Sequence, residues 1–207
     1  MPNPILPLWE HIPDGEPRVF GDRVYLYGSH DRPLAGDFCD IRLKVWSAPI
    51  DDLDHWVCHG DVFHAQADED HPADVTWTDM MPADKHMMYA PDCVEKDGKY
   101  YLFTYVFFDK GCVSVADRPE GPFKVIGTYE YAPEDAGDGG VYNDPGVLVD
   151  DEQILLALND DGRLLHLTCE AHNLGVTSLA KDNHLTAYGL HLQRILHDSS
   201  YWALKYF

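Results

Sequence analysis

The 207 residues predict an all-β fold, an incomplete β-propeller, on three observations. Short runs rich in β-branched and aromatic residues are separated by tight turns. No long segment repeats its apolar residues every 3.6 positions, as a helix would. A unit of two successive hairpins recurs along the chain, and four strands per unit is the make-up of one propeller blade. A blade cannot cover both its faces alone and must stack on its neighbours.

The first unit opens with Glu16-Pro17-Arg18-Val19-Phe20, a turn, and Val24-Tyr25-Leu26-Tyr27. Its second hairpin runs from Val45-Trp46-Ser47-Ala48-Pro49 to Trp56-Val57-Cys58-His59-Gly60. The second unit opens with Ala90-Pro91-Asp92-Cys93-Val94 and returns along residues 99–106. Between them Asp97-Gly98 suits a tight turn, because glycine tolerates positive φ. Val113-Ser114-Val115-Ala116-Asp117 and Phe123-Lys124-Val125-Ile126-Gly127 complete this unit. The third, residues 144–149 and 154–158, starts in the same way and then loses its second hairpin. About two and a half to three blades are therefore expected within residues 1–159. Residues 160–207 read as an atypical tail, either one more strand pair, beginning at Leu164-Leu165-His166-Leu167, or irregular chain.

Composition is globular, with 45% hydrophobic, 25% charged and 12% aromatic residues. Fifteen Lys and Arg face 36 Asp and Glu, a formal charge of −21, which repels phosphate backbones and argues against a nucleic-acid partner. No apolar run reaches the roughly 18 residues of a membrane helix, so no membrane partner is expected. The start, Met1-Pro2-Asn3-Pro4, lacks a basic leader segment, and a soluble, cytoplasmic protein is the expectation. All 14 prolines lie at or before Pro145. From residue 160 the charges nearly balance, so almost the whole net charge falls on the first 159 residues.

Five cysteines, Cys39, Cys58, Cys93, Cys112 and Cys169, are dispersed without a CxxC pair, as suits reduced thiols. His55, Cys58, His59 and His64 invite a metal reading. They fall in an expected strand, however, where neighbours alternate between faces. Neither a metal nor another cofactor is expected.

The inner strands of a propeller converge on one axis, so residues near their starts meet at a common mouth. Three acids stand there, Asp14, Asp92 and Asp144, which the repeat predicts to be equivalent. Singly, each is an ordinary turn residue. Together, converging carboxylates suit glycoside hydrolysis, in which one activates water and another protonates the leaving oxygen. Their mutual repulsion and partial burial would separate their pKa values and so their roles.

These runs, with Asn3-Pro4-Ile5-Leu6-Pro7, Pro13-Asp14-Gly15-Glu16-Pro17, Gly28-Ser29-His30-Asp31, Met88-Tyr89-Ala90-Pro91-Asp92 and Asp144-Pro145-Gly146-Val147-Leu148, resemble glycoside hydrolase family 43. The resemblance covers residues 3 to about 159. It implies a five-bladed β-propeller of the arabinofuranosidase and xylosidase type, acting with inversion on arabinose- or xylose-containing oligosaccharides. By the resemblance Asp14 is the general base, and Asp144 orients the sugar and tunes the pKa of the acid. His30, Asp31, Tyr89 and Asp92 match the sugar pocket wall. The family's acid is a Glu before a Tyr-Tyr strand. The tail offers only Glu170, close to Asp144 and with no such strand after it, so the true acid is expected to be absent and activity impaired. The alternatives are a carbohydrate-binding partial propeller without chemistry and an inactive fragment. Open blade edges would favour self-association.

Overall fold

The computed structural model describes residues 5–35, 39–74, 87–107, 110–131, 143–150, 153–159, 167–169 and 176–178, and among these every helical or extended element is a strand. The first blade comprises β1 (Glu16–Phe20), β2 (Arg23–Tyr27), β3 (Arg42–Pro49) and β4 (Val57–His64), ordered 1-2-3-4 and antiparallel throughout. The second comprises β5 (Tyr89–Lys96), β6 (Lys99–Phe107), β7 (Lys110–Ala116) and β8 (Lys124–Tyr131), in the same meander. A third unit supplies the hairpin β9 (Asn143–Asp150) and β10 (Gln153–Asn159). Two complete blades and the opening hairpin of another make a partial propeller.

The tail departs from the repeat. β11 (Leu167–Cys169) pairs antiparallel with β8 as a fifth strand of the second sheet, and β12 (Val176–Ser178) pairs parallel with β10. Consecutive strands of a meander are antiparallel, so neither continues the third blade. Leu167 thus belongs to a strand as expected, whereas Leu164, Leu165 and His166 lie outside the described residues.

Packing between the blades follows from strands covered on both faces. In β6 every residue from Leu102 to Val106 is buried, as expected of a strand enclosed between sheets. Tyr27, Leu43, Val45, Phe63, Met88, Leu102 and Val106 are almost wholly buried in one cluster that joins the first two blades. Each such side chain contributes about 1.5–3 kcal/mol relative to exposure. The Tyr27 hydroxyl donates to the Pro119 carbonyl at 2.5 Å, satisfying its polar end within the apolar layer. The inner strands lie together, with β5 against both β1 and β9. Among the described residues no helix is long and apolar enough to cross a membrane.

Candidate functional site

Hairpin register decides which residues are equivalent. The closing pairs are Phe20–Arg23 in β1–β2, Lys96–Lys99 in β5–β6 and Asp150–Gln153 in β9–β10. Asp14 and Asp144 both stand about six residues before the closing residue of their strand, and in the second blade that place falls to Ala90. Backbone conformation supports the match, since Asp14 and Ala90 both have positive φ, 54° and 30°. Asp92 lies two residues further in, opposite Glu16 and Gly146 of the other units. The expected equivalence of three acids is therefore corrected to two acids and an alanine. Asp92 lies on the regular side of the one-residue irregularity that β5 carries between Tyr89 and Asp92, and β9 has a similar one before Gly146, so the offset of Asp92 is its own position in the strand and not a slipped ladder.

Asp92 is buried and fully engaged. Arg18 of β1 meets it in a fork, Nε donating to Oδ1 at 2.8 Å and Nη2 to Oδ2 at 2.5 Å. Oδ2 also accepts from the Val147 N–H of β9 at 2.6 Å, while Arg18 Nη2 donates to the Val147 carbonyl at 3.0 Å. Burial pushes the Asp92 carboxyl up, against the opposing pull of Arg18 and the Val147 and Cys93 N–H groups. Three inner strands are thus fastened at one point. The expected wall residue is a fastener between blades, with both oxygens occupied by protein donors.

Asp14 is exposed, on the segment leading into β1. That segment lies along residues 26–31 and is held at several points. A Cβ on Gly28 would come within 2.4 Å of Ile12 Cγ2 and 2.9 Å of the Gly15 Cα, so only glycine permits this approach. A Cβ on Gly15 would similarly meet Leu26 Cδ1 at 2.9 Å. The Asp31 N–H donates to the His11 carbonyl at 2.9 Å, and the Asp31 Oδ1 accepts from the Cys39 N–H at 2.7 Å. His30, buried, places Nε2 2.5 Å from Glu10 Oε1. His30 and Asp31 thus brace the segment that presents Asp14, a positioning part that differs from lining a pocket wall.

Glu10 is the residue that sequence reasoning missed. It is buried and joins His30 to Trp46, whose Nε1 donates to Oε2 at 3.0 Å. The other face of His30 meets Asp40, with Nδ1 3.4 Å from Oδ2. Burial acts to raise the Asp40 carboxyl, but His30, the Ile41 N–H, Arg42 and Arg32 together hold it below its ordinary value. The signal available in sequence was a glutamate in the Leu8-Trp9-Glu10 run, where an acid beside the exposed Leu8 and Trp9 reads as surface. Tyr89 opens β5, half-buried, its ring 5.7 Å from that of Tyr105. Asp144 is the second residue of β9, and Glu170 lies outside the described residues. His59, from the metal reading set aside, is 2.7 Å from Ser47 Oγ and stacks on Tyr25, while Cys58 is exposed.

The class that these observations define is a partial propeller, with an exposed acid ahead of its first inner strand and an acid at the same count from the hairpin turn in its third. Comparison with known proteins narrows it. Over 162 residues, 74% of the chain, it is 40% identical to a xylosidase/arabinosidase of Thermoclostridium stercorarium, of which it covers 32%. It is 31% identical to xylosidase/arabinosidase 43A of Humicola insolens, covering 70% of this chain and 43% of that protein. The GH43_1 enzyme of Xanthomonas citri, solved with xylose, superposes with a TM-score of 0.51 at 27% identity, over 72% of this chain and 39% of the other. No family model matches. These likenesses are consistent with a partial glycoside hydrolase family 43 protein, and the chain spans about a third to two fifths of the length of these curated relatives.

Proposed function

We propose that the chain carries the base-bearing part of an inverting glycosidase acting on arabinose- or xylose-containing oligosaccharides. The observation that carries this reading is the shared place of Asp14 and Asp144, each six residues before the closing residue of its strand, on inner strands fastened together through Arg18, Asp92 and Val147. An exposed carboxylate such as Asp14 can accept a proton from water as that water attacks the anomeric carbon. Asp144, at the same level of the third strand, would hold the sugar and hold the acid in its protonated form. The names of the relatives and the xylose in the Xanthomonas citri enzyme support a pentose substrate.

Inversion needs a second carboxyl group across the pocket to protonate the leaving oxygen. Glu170 is a poor occupant of that place, so the chain alone is expected to bind better than it turns over. The test uses nitrophenyl β-xyloside and nitrophenyl α-arabinofuranoside with the full chain. Residual turnover should fall about 10²–10⁴-fold in Asp14→Asn, with xylo-oligosaccharide binding by calorimetry retained. Turnover indifferent to Asp14→Asn would remove the base assignment. Binding with no turnover in either protein would favour a carbohydrate-binding partial propeller.

A further inference from the structure

We propose that His64, His71 and Asp74 form a binding site for a single divalent ion of the zinc class, at the outer end of the first blade and apart from the Asp14 segment. One nitrogen from each histidine and one oxygen from Asp74 lie within 4.8 Å of one another. The arrangement is built by backbone as well as side chain. His64, the last residue of β4, is buried, and its N–H donates to Asp74 Oδ2 at 2.7 Å, while the Asp74 N–H returns to the His64 carbonyl at 2.8 Å. Between them Asp68 closes a turn, its Oδ1 accepting from the N–H groups of Asp70 and His71 at 2.9 and 2.8 Å. The Asp68 N–H donates to the His71 carbonyl at 2.9 Å. This turn lays the His71 ring on that of His64, with centroids 4.0 Å apart and planes 15° apart.

The donor atoms can be assigned. His71 Nδ1 is 2.5 Å from the Pro72 carbonyl; a carbonyl only accepts, so Nδ1 carries the proton and Nε2 keeps its lone pair. Fixing the tautomer through the second nitrogen is how metal-binding imidazoles are commonly oriented. His64 Nδ1 faces Asp74 Oδ2 at 3.7 Å, and its Nε2 faces Asp68 Oδ2 at 3.8 Å and Asp61 Oδ2 at 4.0 Å. The geometry points to His64 Nδ1, His71 Nε2 and an Asp74 oxygen as ligands, with Asp68 behind the His64 ring. Zinc–nitrogen and zinc–oxygen bonds of about 2.0–2.2 Å put ligand atoms roughly 3.3–3.6 Å apart, so closing the set takes a small contraction together with a tilt of the His71 ring out of its stack on His64. Three carboxylates surround the pair, and Arg42, 3.4 Å from Asp61, is the cation nearest them among the ion pairs described. Two nitrogens and a carboxylate favour zinc, cobalt or nickel over the all-oxygen preference of calcium and magnesium.

The test uses the full chain stripped with a chelator. Zinc chloride should bind one ion per chain by native mass spectrometry and calorimetry and raise the melting temperature, since an ion bound only to the folded state stabilises it. Cobalt(II) should give visible absorption bands of a low-coordinate nitrogen–oxygen site. His71→Ala and, separately, Asp74→Asn should each weaken zinc binding at least about tenfold, with circular dichroism confirming the fold. Cys58→Ser with His59→Ala should leave binding unchanged. Failure to bind zinc at one equivalent, retention of affinity in both site variants, or tighter binding of calcium than of zinc would each overturn the assignment.

Discussion

The first and second blades share a meander and a hairpin register, yet they put the same place in the strand to different uses. Six residues before the closing pair, the first blade has Asp14, exposed, and the second has Ala90, buried. Both are in the left-handed region, where a short polar residue is tolerated better than alanine. The first blade spends that conformation on presenting a carboxylate. The second ties it down, the Ala90 N–H donating to Ser29 Oγ at 2.7 Å, and sets its acid two residues deeper as a fastener. One repeat therefore yields a chemical position in one copy and a mechanical one in the next.

The sharpest way to break this comparison is Asp92→Ala. It leaves Arg18 half-buried without its partner and should cost about 3–5 kcal/mol, read as a lower urea midpoint. A loss below about 1 kcal/mol would mean that the fork carries no mechanical load. Next in size is Gly28→Ala, whose Cβ collides with Ile12 and the Gly15 backbone. It should cost about 1–3 kcal/mol and loosen the Asp14 segment, seen as faster amide exchange at Ile12, Asp14 and Gly15 with the second blade unaffected. Uniform acceleration in both blades would show that the approach of Gly28 supports the whole fold and not the segment. Smallest is Ala90→Gly, which relieves left-handed strain of about 1–2 kcal/mol and adds unfolded-state entropy of about 0.5–1 kcal/mol. The net is a gain of about 1 kcal/mol or less. Asp14→Gly should gain less, because aspartate already tolerates this region, and should also lose the proposed chemistry, which separates backbone from side chain at the shared position.

Much of the fold was legible because strand patterns are local. Asp97-Gly98 marked the β5–β6 turn, and Val24-Tyr25-Leu26-Tyr27 marked β2, from neighbours a few residues apart. The site was less so. Asp14 and Asp144 were readable as acids ahead of repeated strands, whereas the two-residue offset of Asp92 emerges only when the closing pair of each hairpin is known. Glu10 and His30 meet across 20 residues, and His64 reaches His71 only because Asp68 folds the intervening loop back. The alternation argument separates the neighbours Cys58 and His59, the one exposed and the other against Ser47 and Tyr25. It was silent on partners that arrive from beyond the strand. In the tail, apolar runs were seen, but whether they continued the third blade depended on pairing direction, and β12 runs parallel to β10.

The joint among the inner strands treats its third member differently from the other two. From β1 and β5 it uses a particular guanidinium and a particular carboxylate, but from β9 it takes only the amide and carbonyl of residue 147. Peptide groups are common to all residues, save for the proline that lacks the hydrogen. The latch itself thus asks nothing of the Val147 side chain, which is constrained by its burial instead, whereas Arg18 and Asp92 can change only as a pair.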